Sequence, residues 1–218
     1  MEEKLSMYRD LLLSYKRIWV RERTGLSRIK NVSGREDIGW MPDPTFLYTH
    51  KDYDKIAAKE TIYNGDYIAC YATLDDQLDM MMPILHKLSK QYDMPVVLIG
   101  GVVPREEAWI INRVAIGPRE FLQAVRDAKM VETQTFHGTI FSILYNKNFI
   151  VFNDAMPNFR KTGLLEELGL IGRIVHNANE TEQALLSPLN YDSINEKLSA
   201  IRQEAQNNII TSIQSIEK

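Results

Sequence analysis

Hydrophobic positions along the chain fall into short blocks with two different periods. Leu5, Tyr8, Leu11 and Leu12 recur at helical spacing within residues 3–15, after which Arg17 to Val20 turn β-rich and stop at Arg21-Glu22. A helix followed by a short strand is predicted. Gly39, Pro42 and Pro44 then break the periodicity and predict a loop around Asp43-Pro44-Thr45, since the residue before a proline is pushed toward extended geometry. Beyond that loop, strand and helix alternate. Tyr67 to Tyr71 is a short apolar strand, and Asp75 to Gln91 places Leu78, Met81, Met82, Leu85 and Leu88 on one helical face. Pro95 to Ile99 is an unbroken apolar run ending in Gly100-Gly101, as expected of a strand buried on both faces in a parallel sheet. The alternation continues through a helix at Pro118 to Lys129, a minimal strand at Met130-Val131, a short helix from Gly138 to Tyr145 and a strand at Phe149 to Phe152. A helix from Thr162 to Leu168, stopped by Gly169, and a last strand at Ile174-Val175 follow. A helix starts at Thr181, and Ile194, Leu198, Ile201, Ala205, Ile209, Ile213 and Ile216 stripe a long final one.

These elements predict a single α/β domain over residues 1–218, a Rossmann-like open parallel sheet with helices on both faces. A helix over 1–17 and another over 190–218 are expected to pack on it or against another chain. Right-handed crossovers place the working loops at the carboxyl ends of the strands, so the segments after Tyr71, Ile99, Val131 and Phe152 are where chemistry is expected. No Gly-x-Gly-x-x-Gly follows the first strand and no Walker-type lysine loop is present, which argues against the usual dinucleotide and P-loop sites.

Charge narrows the partners. The 26 basic and 29 acidic residues among 218 leave a net charge of -3 with no basic block, so neither nucleic acid nor an anionic lipid surface is implied and any anion site is local. Cys70 stands alone in an apolar run and reads as a core thiol, and His50, His86 and His176 lack metal-ligand spacing, so no metal and no cofactor are expected. The amino terminus shows no export signal, and no apolar stretch approaches the roughly 20 residues of a membrane span, which predicts a cytoplasmic protein.

The densest chemical signal is the run from Val131 to Ile143, Val-Glu-Thr-Gln-Thr-Phe-His-Gly-Thr-Ile-Phe-Ser-Ile. A strand delivers Thr135-Phe136-His137 to its carboxyl end, and a helix opens at Gly138-Thr139, where backbone N–H groups and the positive end of the helix dipole suit an anion. An imidazole at that point can pass a proton to a phosphate or to carbon. Gly117-Pro118-Arg119-Glu120-Phe121 opens another helix, where Glu120 either complements the dipole or meets a ligand. Arg21 at a strand end has the guanidinium fork that binds carboxylate or phosphate, but its spacing alone favours a solvated charge pair with Glu22. Asp43 sits in a turn, and Arg160 follows the carboxyl end of the Phe149 to Phe152 strand, a position that suits an anion contact.

Taken in order, Val20-Arg21-Glu22, Asp43-Pro44-Thr45, Gly117-Pro118-x-Glu120-Phe121, Thr133-x-Thr135-Phe136-His137-Gly138-Thr139-x-Phe141-Ser142 and Asn158-x-Arg160 with Leu164-Leu165-x-x-Leu168-Gly169-Leu170 resemble the signature blocks of the polysaccharide pyruvyl transferases. The resemblance covers about residues 18–173. Gln134 and Thr135 depart from it, standing where the family commonly has aspartate and either serine or arginine. It implies the C-terminal half of a GT-B-type enzyme of two Rossmann-type domains with its active site between them, the N-terminal domain being absent here. The implied reaction moves an enolpyruvyl group from phosphoenolpyruvate to a hexose of a surface polysaccharide or its lipid-linked precursor, giving a pyruvate ketal. By the same resemblance His137, Arg21 and Glu120 are catalytic, and Asp43, Gly117, Thr135, Gly138, Thr139 and Arg160 bind substrate. A partner chain or a second copy is then an expected partner, with peripheral contact to a lipid-linked sugar. Two other readings stay open: a GT-B glycosyltransferase using a nucleotide sugar, and a noncatalytic module of such an enzyme.

Overall fold

The computed structural model describes residues 2–153 and 159–216. Where the sequence reading takes 1–218 as one domain, the chain divides into two compact units, Met1–Tyr48 with Asp192–Lys218, and Thr49–Tyr191.

The smaller unit is a βαβ motif with added helices. Helix α1 (Glu2–Ser14) leads into β1 (Ile18–Val20), α2 (Arg23–Ser33) and β2 (Ile38–Trp40), and β1 pairs parallel to β2 with Ile18 opposite Ile38. Neither α2 nor β2 is foreseen from the hydrophobic pattern. Helix α2 is mostly polar and ends on Gly34 in the left-handed region, φ 72°. In β2 the glycine that signals a loop has another cause: a Cβ at Gly39 would stand 2.2 Å from the Trp19 ring, so the missing side chain lets the indole cross the strand.

The larger unit contains α3 (His50–Asp54), β3 (Ile68–Tyr71), α4 (Asp75–Tyr92), β4 (Val96–Ile99), β5 (Ile110–Arg113) and α5 (Pro118–Asp127). It continues through β6 (Met130–Thr133), α6 (Phe136–Leu144), β7 (Asn148–Phe152), α7 (Phe159–Leu168), β8 (Ile174–Val175) and α8 (Thr181–Leu186). Its six strands are all parallel in the order β5-β4-β3-β6-β7-β8. The chain runs outward from β3 to β5, then returns to the middle and runs outward again from β6 to β8. This doubly wound order opens a crevice where the direction reverses, outside the carboxyl ends of β3 and β6.

Burial follows the register. Ile68, Cys70, Leu98, Met130 and Ile150 share one core with Leu78, Met81, Leu85 and Leu88 of α4. Tyr71 meets Phe121 of α5 and Phe121 meets Phe141 of α6, with centroids 4.6 and 5.5 Å apart, so the α5 and α6 layer covers the other face. Strand β6 runs two residues past the Met130-Val131 expected from sequence, because the polar residues Glu132 and Thr133 are themselves buried. The edge strand β5 shows no apolar run long enough to announce it. The final helix α9 (Tyr191–Ile216) sends its residues from Asp192 onward into the smaller unit, where the Arg202 guanidinium donates to the Phe46 carbonyl at 2.8 Å. Among the described residues no helix is long and apolar enough to cross a membrane.

Candidate active site

At the crevice, β6 passes into α6 through a turn held by threonines. Thr133 Oγ1 donates to the Tyr71 carbonyl on β3 at 2.8 Å and accepts from the Thr135 amide at 3.0 Å. Thr135 is the N-cap of α6: its hydroxyl oxygen accepts from the Gly138 amide at 2.9 Å, and its carbonyl accepts from the Thr139 amide at 3.1 Å. The helix therefore begins at Phe136, two residues before the sequence-based start, and His137 stands exposed in its first turn.

Three of the residues expected to bind substrate take part in this cap. The Gly138 and Thr139 amides serve the helix cap, and the Thr135 hydroxyl supplies it. Thr139 Oγ1 donates back to the Thr135 carbonyl at 2.9 Å, so its side chain is also structural. A methyl group at Gly138 would lie 2.3 Å from Thr133 Oγ1 and 2.7 Å from Thr135 Oγ1. Gly138→Ala is therefore expected to destabilise the protein by about 1–3 kcal/mol, as overpacked sites do. A lowered urea midpoint at unchanged slope is the check, and an unchanged midpoint would show that the turn has slack.

Helix α5 begins at the same edge of the sheet because it follows β5. Gly117 is its N-cap and Glu120 lies half-buried in its first turn. A Cβ at Gly117 would come within 2.8 Å of the Glu120 carboxylate, so the glycine leaves room for that side chain. Arg160 is exposed in the first turn of α7, past the end of β7, while Asn158 lies outside the described residues.

In the smaller unit, Arg21 at the end of β1 donates through Nη1 to Asp43 Oδ2 at 2.6 Å and through Nε to Glu22 at 3.0 Å. The other oxygen of Asp43 accepts from the Thr45 amide at 3.0 Å and the Thr45 hydroxyl at 2.7 Å. Burial opposes ionisation of Asp43, but the Thr45 hydrogen bonds and the Arg21 guanidinium outweigh it and hold the carboxyl below its ordinary range. Asp43 is only 4% exposed and both oxygens are engaged, so it orients Arg21 and is poorly suited to act as a base. The Arg21–Glu22 contact foreseen as a bland charge pair is present as well.

Three polar groups beside the His137 turn carry weight that the sequence did not reveal. Lys161 is buried and donates to the Gln134 and Phe152 carbonyls at 2.7 and 2.9 Å. Among the described residues, Gln134 and Glu132 are buried without hydrogen-bond partners for their side-chain polar atoms. Desolvation pushes the Glu132 carboxyl well above the usual carboxylate range. From sequence, a lysine after an arginine at a helix start reads as solvated, and a glutamate beside threonine gives no sign of depth. Among the described residues no group of three or more His, Cys, Asp or Glu side chains is placed to hold a metal.

Solved structures share this architecture. UDP-GlcNAc 2-epimerase from Methanocaldococcus jannaschii, in complex with UDP-GlcNAc and UDP, aligns over 85% of this chain and 60% of its own at 11% identity and a TM-score of 0.51. UDP-N-acetylglucosamine 2-epimerase from Rickettsia bellii aligns over 91% and 60% at 13% identity and a TM-score of 0.51. At such identities the likeness concerns the fold, and the chain spans about three-fifths of the length of those enzymes. No curated protein matches the sequence. The polysaccharide pyruvyl transferase family model matches residues 1–154, a stretch that includes both the Arg21–Asp43 pair and the His137 turn, and the chain belongs to that family.

Proposed function

We propose that the protein takes part in transfer of pyruvate from phosphoenolpyruvate to two hydroxyls of a hexose in a surface polysaccharide or its precursor. The observation that supports this most is the exposed imidazole of His137 in the first turn of a helix that opens on the switch-point crevice, within a chain of the pyruvyl transferase family.

The chemistry sets what the site must supply. A proton adds to the methylene carbon of the donor, leaving positive charge at the adjacent carbon that a sugar hydroxyl captures with loss of its proton. The carbon–oxygen bond to phosphate then breaks and a second hydroxyl closes the ketal, so one hydroxyl proton balances the new methyl group and the other leaves on phosphate. In this reading His137 carries the proton to carbon or meets the departing phosphate, where an imidazole is apt because its ordinary range spans neutrality. The α6 dipole end favours the anion beside it, and Arg160 in the first turn of α7 is a cationic contact for it. Glu120 is assigned to orient or deprotonate the acceptor, with Gly117 giving it room. Arg21, aimed by Asp43, is assigned as a further contact for an anionic or hydroxylated group. Thr135, Gly138 and Thr139 shape the turn that carries His137. The reaction is assigned to the cytoplasm, where phosphoenolpyruvate is available.

Phosphoenolpyruvate is expected to raise the melting temperature of the intact protein, since a ligand bound only by the folded state stabilises it by mass action, about 2.7 kcal/mol at a hundredfold excess over Kd. Stabilisation by a uridine diphosphate sugar and none by phosphoenolpyruvate would point instead to a nucleotide-sugar glycosyltransferase.

A further inference from the structure

A lysine is seldom fully buried, because taking an ammonium out of water is costly unless every proton finds an acceptor. Lys161 is 3% exposed. Its ammonium donates to two backbone carbonyls, Gln134 at 2.7 Å and Phe152 at 2.9 Å. These lie at the carboxyl ends of the neighbouring strands β6 and β7, and Lys161 itself belongs to the first turn of α7. One ammonium thus ties together three elements that end or begin at the crevice edge. The Gln134 carbonyl is three residues ahead of His137, and Lys161 directly follows Arg160.

Two adjacent strand ends could be closed more cheaply by an apolar side chain and solvent. A buried polar network whose hydrogen bonds are made rigidifies the elements it joins. We propose that Lys161 is a positioning residue, its ammonium setting the angle at which the β6–α6 turn presents His137. It acts through the turn and does not touch substrate. The proposal rests on the reading of His137 as the reacting group, and it assigns the control of that group to a side chain outside the family's signature residues noted above.

The test uses Lys161→Met and Lys161→Arg in the intact protein, followed by NMR of the histidine rings and by phosphoenolpyruvate binding. His86, stacked on Trp109 with centroids 5.3 Å apart, is the internal control. In Lys161→Met the His137 ring signals are expected to shift while those of His86 stay in place. The dissociation constant for phosphoenolpyruvate is expected to rise about tenfold to a hundredfold, the loss that goes with one hydrogen bond to a charged group. Lys161→Arg, which keeps the charge, is expected to recover part of the binding. A folded Lys161→Met protein with unchanged His137 signals and unchanged binding overturns the proposal. So do parallel shifts of both rings, or failure of both variants to fold, which would make Lys161 a residue of the whole fold. If the unaltered protein does not bind phosphoenolpyruvate, the proposed function fails, and the ring shifts still decide the role of Lys161.

Discussion

Replacing His137 with alanine is expected to lower pyruvyl transfer by the intact enzyme about a hundredfold to ten-thousandfold, the range over which a positioned acid or base contributes. Stability should barely move. The side chain is exposed in the first turn of α6, and changes at such positions usually stay within about 0.5 kcal/mol. The cap that holds the turn is made by Thr133, Thr135 and the Gly138 and Thr139 amides, none of which depends on the imidazole. Loss of activity in a protein of unchanged melting temperature is therefore the signature. His137→Gln separates the two roles: an amide can still donate a hydrogen bond to phosphate but cannot pass on a proton. Activity close to that of the unaltered enzyme in the glutamine variant would assign the residue to phosphate contact. Full activity in the alanine variant would remove His137 from the reaction.

The second large effect concerns stability. Glu132 lies on the central strand β6, fully buried, opposite Cys70 on β3 and Ile150 on β7, and among the described residues neither carboxyl oxygen has a hydrogen-bond partner. Desolvation raises its pKa well above the ordinary value, so the folded protein holds a proton there that the unfolded chain releases from about pH 4.3 upward. The sign follows from linkage. Where the folded state binds more protons than the unfolded one, stability falls as pH rises. The loss begins near the unfolded pKa and continues until the folded group itself ionises. Glu132→Met removes the carboxyl and leaves a side chain of similar length. It is expected to stabilise the protein near neutrality by about 1–3 kcal/mol, the cost of burying a polar group without a partner. The gain should shrink as the pH approaches 4. Urea unfolding at pH 5 and pH 8 checks both points, and a variant less stable than the parent at both would mean that the carboxyl is satisfied inside the protein. Burial pushes the Cys70 thiol up, with Glu132 adding to it once ionised, which leaves that cysteine a poor nucleophile.

Much of the larger unit is legible in the chain. The apolar runs at 68–71, 96–99 and 149–152 have the length and composition of strands covered on both faces, and each is one. The helical stripe from Leu78 to Leu88 lies against that sheet as its spacing demands. The smaller unit is far less legible, because its strands have three residues each and its helix α2 is mostly polar. Gly39 misled for a physical reason: a strand glycine and a loop glycine look alike until the Trp19 ring is seen crossing it.

The candidate site divides in the same way. Local sequence determined that a strand would hand a histidine to a glycine-led helix start, since strand, cap and helix are all short-range effects. It also determined the family blocks and the absence of any long apolar span. Only tertiary structure decided which groups at that turn face outward. It used the Thr135 hydroxyl and two amides for the cap, set Asp43 behind Arg21, and drew Lys161 and Glu132 inside. Burial depends on residues distant in sequence, as the Lys161 ammonium does on carbonyls 27 and 9 positions away. No pattern within a window of a helix or a strand contains that information.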